Sequence, residues 1–146
     1  MSQSLSSVKI HVVFSTKHRA PLLTPDLQRD CYAYLAIVAR NHKARVYEVG
    51  GMPDHVHMLL ALPRTITLAK LMEILKTSSS KWLKAKGPFA WQDGYGAFSV
   101  SESNVDSVRR YIRDQELHHK RASFQHEYLR ILSKSNVPFD ERFLWD

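Results

Sequence analysis

The sequence predicts an α+β fold, an antiparallel sheet with helices packed on one face. Three observations carry this. Several short runs alternate apolar and polar residues, the period of a half-buried strand. Longer runs repeat apolar residues at helical spacing and open on capping residues. The two kinds of run follow one another as strand, helix, strand, strand, helix, strand, helix.

Each element has its own signal. VKIHVVFST (8–16) sets Ile10, Val12 and Phe14 against His11, Val13 and Ser15, and reads as a strand. TPDLQRDCYAYLAIVARNH (24–42) opens on a Thr24 cap with Pro25 at the first helical position, so it reads as a helix. ARVYEVGGM (44–52) is a strand running into a glycine turn, and HVHMLLAL (55–62) follows closely enough to pair with it. TITLAKLMEILKTSSSKWLKAKG (65–87) is a helix with Leu68, Leu71, Met72 and Leu75 at core spacing and Gly87 past its end. YGAFSVSES (95–103) is the fourth strand. SNVDSVRRYIRDQELHHK (103–120) is one helix capped by Ser103 or Asn104, with Val105, Val108 and Ile112 as its apolar stripe. FQHEYLRILSK (124–134) is a short amphipathic tail helix, and NVPFDERFLWD (136–146) an aromatic tail. This order is the split βαβ pattern of a ferredoxin-like sandwich. Its helices should cover one face of the sheet and leave the other open for a partner or a dimer mate.

The totals set bounds. The 146 residues suit one domain, 1–146, and the 44% apolar content suits one core. The single cysteine, Cys31, excludes an internal disulfide framework and fits a reducing compartment. No stretch approaches the roughly 20 apolar residues of a membrane span, and the N-terminus lacks the apolar run of a signal peptide. A soluble cytoplasmic protein with no membrane partner is expected. The net charge of +7, from 21 Lys and Arg against 14 Asp and Glu, favours a polyanionic partner such as nucleic acid.

Residues two apart on a strand point to the same side. Val56, Met58, Leu60 and Leu62 therefore share the core face, and His55 and His57 share the other. Two imidazoles so placed can converge on one metal ion. Among eight histidines such a pair also arises easily by chance, and two half-exposed strand histidines are the plain alternative. Leu59 and Leu60 stand where a His-x-His-x-Asp-His hydrolase would need aspartate and histidine, and no His-Glu-x-x-His or cysteine pair is present. A hydrolytic zinc site is poorly supported.

A second constellation lies in RRYIRDQELHH. At about 100° per residue, Tyr111, Gln115 and His118 fall together on one flank of the apolar stripe. Arg109, Arg110 and Arg113 point away from that flank, toward solvent or DNA. A tyrosine hydroxyl is a poor nucleophile near neutral pH, because its pKa is about 10, and a nearby metal would favour the phenolate. The Gln115 amide oxygen could join two histidines on the same ion. Taken alone, Tyr111 reads as a half-buried aromatic with solvated neighbours, and the pairing with His55 and His57 is what lifts it.

Together and in this order, HVVFSTKHRAPLL, GGMPDHVHMLLAL, SSSKWLK, WQDGYGAFSVSES and YIRDQELHHK resemble the single-tyrosine HUH transposases of the insertion-sequence type, the IS-two-hundred-like group. The resemblance covers almost the whole chain. It implies a ferredoxin-like fold, a homodimer, and cleavage and rejoining of single-stranded DNA near hairpin ends. It makes His55, His57 and Gln115 the metal ligands and Tyr111 the nucleophile, with Mg²⁺ or Mn²⁺ as the ion. His11 is the runner-up third ligand if its strand face matches that of the pair, and Tyr128 the next tyrosine to test.

DNA should be held through its phosphates by Lys17, Arg19, Lys76, Ser79, Lys81, Arg110 and Lys120, with His18, Lys84, Lys86 and Arg121 nearby. Trp82, Phe89 and Trp91 are candidates to stack on unpaired bases, Trp82 being the one better suited to the core. A second reading is a non-catalytic basic module that binds structured nucleic acid and derives from such a transposase.

Overall fold

The computed structural model describes residues 2–145. Four strands form one sheet: β1 (Lys9–Ser15), β2 (Arg45–Met52), β3 (His55–Ala61) and β4 (Gly96–Ser99). Their order is β2-β3-β1-β4 and every neighbouring pair is antiparallel, as the ferredoxin-like reading requires. α1 (Pro25–Asn41) links β1 to β2, and α2 (Leu68–Lys84) links β3 to β4. Pro25 opens α1, although the Thr24 side chain makes no capping bond. Thr67 caps α2 by accepting from the Lys70 N–H at 3.1 Å.

The first face of the sheet behaves as expected. Ile10, Val12 and Phe14 of β1 and Val56, Met58 and Leu60 of β3 pack against Cys31, Leu35 and Ala39 of α1 and Leu71, Met72 and Leu75 of α2. Phe89 and Trp91 join this core. The Trp91 indole N–H donates to Ser79 Oγ at 3.0 Å deep inside the molecule.

The second face is not open, which corrects the expectation that helices cover one side only. After β4 the chain turns back across the sheet as α3 (Val105–Arg113), α4 (Gln115–His118) and α5 (Phe124–Lys134), and ends in α6 (Glu141–Leu144). Val105 and Ile112 of α3 pack on Leu59 of β3. Phe124 and Leu132 of α5 pack on Val13 and Phe98. Leu144 and Trp145 close that cluster, with the Arg19 guanidinium 5.4 Å from the Trp145 ring centre. Glu48 of β2 pairs with Arg113 of α3 at 3.1 Å and Arg109 at 3.5 Å, and both arginines stay partly exposed. The single helix expected over 103–120 is broken: Asp114 leaves helical geometry and separates α3 from α4. No helix of the described residues is long and apolar enough to cross a membrane.

Candidate active site

β3 sets the site. Strand register puts Val13 of β1 and Gly50 of β2 on either side of His57, and Ser15 and Met52 on either side of His55. All of these side chains face α3–α5, which roof the histidine pair completely. His55 and His57 are 0% exposed and Gln115 is 1% exposed, so the half-exposed alternative does not hold.

The helix break at Asp114 positions Gln115. Its side-chain amide N–H donates to the Tyr111 carbonyl at 3.3 Å, a carbonyl near the end of α3. This fixes which end of the amide is which, and aims Oε1 at His55 Nε2, 3.0 Å away. Tyr111 stands over the pair, its ring centre 5.8 Å from that of His57 and 4.7 Å from that of His118. The four residues predicted from the sequence thus meet within one chain, His55 and His57 from β3, Tyr111 from α3 and Gln115 from α4 rather than from the one helix expected for the last two.

The histidines are oriented from behind. His55 donates its Nδ1–H to Asp54 Oδ1 at 2.8 Å, which leaves Nε2 to face the site. His57 Nδ1 meets His11 Nε2 at 2.8 Å. His11 does share the face of the pair, but it stands behind His57 as an orienting group rather than in the position of a third ligand.

Two functional candidates escaped the sequence reading. Glu127 of α5 is 2% exposed and accepts from His57 Nε2 at 2.8 Å through Oε1. Its Oε2 accepts from His119 Nε2 at 3.0 Å. His119 lies one helical turn past Gln115 and also stands 3.1 Å from its Oε1. The His119 spacing was visible in QELHH. Glu127 left no signal, because its partner His57 lies far away in sequence.

Burial dominates the electrostatics. It pushes His57 down to about 4, against the Glu127 hydrogen bond, and His11 down to about 3, so both rings are neutral at pH 7. Burial would raise the Glu127 carboxyl, but hydrogen bonds from His119 and His57 outweigh it and hold the group ionised. Burial and the Glu127 charge together push the Tyr111 hydroxyl well above its ordinary value. As it stands, the tyrosine is kept protonated.

The residues fit a divalent ion. Two ligands about 2.1 Å from one ion and at right angles stand about 3 Å apart. His55 Nε2 and Gln115 Oε1 are 3.0 Å apart, His57 Nε2 and Glu127 Oε1 2.8 Å, and His55 Nε2 and Glu127 Oε1 3.5 Å. With Nδ1 turned to Asp54, His55 directs Nε2 at the Gln115 amide oxygen, so either a second N–H of the ring or a cation can join the two atoms.

Residues 4–115 match the family model described as "Transposase IS200 like". The chain belongs to the IS200-like transposase family. This transposase is 28% identical over 116 residues to the transposase for insertion sequence element IS200 of Salmonella typhimurium, covering 73% of the chain and 76% of that relative. It is 26% identical over 117 residues to the ISDra2 transposase TnpA of Deinococcus radiodurans, covering 74% and 84%. Two solved structures share the fold. One is a candidate transposase of Deinococcus radiodurans, with a TM-score of 0.63, 21% identity and 77% and 93% of the two chains covered. The other is a REP-associated tyrosine transposase bound to a REP hairpin, with a TM-score of 0.60, 17% identity and 82% and 74% covered.

The basic residues sort less cleanly. Lys17, Lys81, Arg110 and Lys120 are exposed, and Arg19 is half-buried under Trp145. Lys76 spends its ammonium on the Gln92 and Gly94 carbonyls, each at 2.6 Å, so it braces the loop before β4. Ser79 is fully buried, its hydroxyl donating to the Leu75 carbonyl at 2.6 Å, and cannot reach a phosphate. Phe89 and Trp91 are core residues rather than stacking platforms. Trp82 stacks on Tyr34 of α1 with ring centres 4.8 Å apart.

Proposed function

We propose that this transposase cleaves and rejoins single-stranded DNA near hairpin ends, with Tyr111 as the nucleophile and His55, His57 and Gln115 as ligands of a Mg²⁺ or Mn²⁺ ion. The observation that carries the reading is the meeting of Tyr111 with three convergent donor atoms on one buried face. The hairpin bound to one structural relative supports the same substrate class. Bound at these residues, a divalent ion supplies Lewis-acid polarisation of a non-bridging oxygen on the scissile phosphate. Asp54 and His11 hold the two imidazoles in orientation, and the Gln115 amide locks its own oxygen toward His55. The Tyr111 oxygen forms a bond to phosphorus while the bond to the 3′ oxygen breaks. The proton lost by the tyrosine is recovered overall by the departing 3′-OH. The product keeps a phosphodiester-like link through Tyr111, so attack by another 3′-OH reverses the step without ATP.

The test is incubation with single-stranded hairpin oligonucleotides and Mn²⁺, read on a denaturing gel. A covalent protein–DNA adduct is expected, and Tyr111→Phe should abolish it. An adduct that persists in Tyr111→Phe assigns the nucleophile elsewhere, with Tyr128 next in line. No adduct with any end sequence from the flanking genome would favour the non-catalytic nucleic-acid-binding reading.

A further inference from the structure

We infer that Glu127 is a fourth protein ligand of the ion site, contributed by α5, an element beyond residues 4–115 that the family model matches. The inference rests on the reading of His55, His57 and Gln115 as ligands, and adds a charged oxygen to them.

Position comes first. Glu127 Oε1 lies between the two histidines, 2.8 Å from His57 Nε2 and 3.5 Å from His55 Nε2. The His55 Nε2 that it approaches is the same atom that faces Gln115 Oε1. One oxygen therefore neighbours both histidine nitrogens, one of which also faces Gln115.

Charge comes second. Glu127 is almost fully buried, yet among the described residues no Lys or Arg stands within ion-pair distance of it. Its neighbours are His55, His57, His119 and Tyr111. A buried carboxylate that only histidines balance is costly, and two imidazoles with one amide give an ion no charge compensation. Each deficit answers the other. A carboxylate oxygen is also a preferred donor for Mg²⁺ and Mn²⁺.

Local structure holds it there. Ser123 caps α5 by accepting from the His126 N–H at 3.2 Å, and the Glu127 N–H donates to the Ser123 carbonyl at 3.0 Å. Phe124, one turn before Glu127, stacks on the His55 ring with centres 4.1 Å apart. The first turn of α5 is thus seated directly on the histidine strand.

The experiment is Mn²⁺ titration by calorimetry on the full chain freed of metal with chelator, without DNA. Wild type should bind one ion, and His57→Ala should lose it. Glu127→Gln, isosteric and uncharged, should weaken binding by at least about tenfold while its melting curve shows it folded. If Glu127→Gln binds as wild type while His57→Ala fails, this inference is wrong and the three-ligand site stands. If wild type takes no ion even at millimolar Mn²⁺, the ion site itself is wrong. Should Glu127→Gln not fold, anomalous diffraction from Mn²⁺-soaked wild-type crystals decides. A Glu127 oxygen within about 2.5 Å of the ion supports the assignment, and one beyond about 3.5 Å overturns it.

Discussion

His57 shows at the scale of one residue how burial becomes a dependence on pH. Its ring is neutral in the folded protein, with its pKa lowered to about 4, and takes a proton near 6.5 once unfolded. Below pH 6.5 the unfolded chain binds more protons, so stability from this group is full above that value and is lost as pH falls toward 4. At pH 5 the loss is about 2 kcal/mol. His11, lowered to about 3, acts with the same sign. Glu127, also lowered, extends the loss below the ordinary carboxylate range. His119 has the opposite sign: burial would lower it, Glu127 more than offsets this, and its contribution fades as pH rises through its raised value. Urea melts in chelator should therefore show stability falling from pH 7 to pH 5. A flat profile would mean that the imidazoles are not buried in neutral form.

Gly50 illustrates how one element positions another. A Cβ there would stand 2.5 Å from the Ile112 carbonyl oxygen and 3.1 Å from Ile112 Cγ2, so β2 and α3 touch backbone to backbone. Tyr111 is the residue before Ile112, and His57 is the register partner of Gly50. Gly50→Ala should push α3 off the sheet, cost about 1–3 kcal/mol in denaturant melts and slow adduct formation on hairpin DNA. Unchanged stability would show that α3 is not seated there. The elements themselves were largely legible, since alternation and caps marked β1, β2, β3, α1, α2 and α5 close to their observed ends, while the fourth strand, read over 95–103, stops at Ser99. The break at Asp114 was not, because a single non-helical residue leaves the 3.6-residue period of YIRDQELHH almost intact. The covered second face has a readable sign in the sequence. Leu59 on the histidine side of β3 and Val13 on the same side of β1 are apolar, as only a buried face requires.

Across the whole molecule the sheet is shared by two layers, one of α1 and α2, the other of α3–α5, and the candidate site lies wholly in the second. His55 and His57 reach it from the strand, Tyr111, Gln115 and Glu127 from the roof. Periodicity could place the first four by face, because each is read against its own element. Glu127 is fixed only by how α5 lies on β3, which no local pattern encodes. Tyr111 stands over the histidines of its own chain, so each copy holds the four proposed site residues together. Mixing Tyr111→Phe with His57→Ala protein should therefore give no covalent adduct above either variant alone. Recovery of adduct in the mixture would mean that two copies of the chain exchange their tyrosines.

The other layer holds a feature of separate use. Cys31 is the single thiol, fully buried on α1, and burial raises it to about 12. A thiol reagent can reach it only when the α1–α2 layer opens. Its labelling rate is a native clock for that opening, requiring no engineered probe. Run beside amide exchange over α3–α5, it would tell whether the roof of the site lifts on its own or only when the whole chain unfolds.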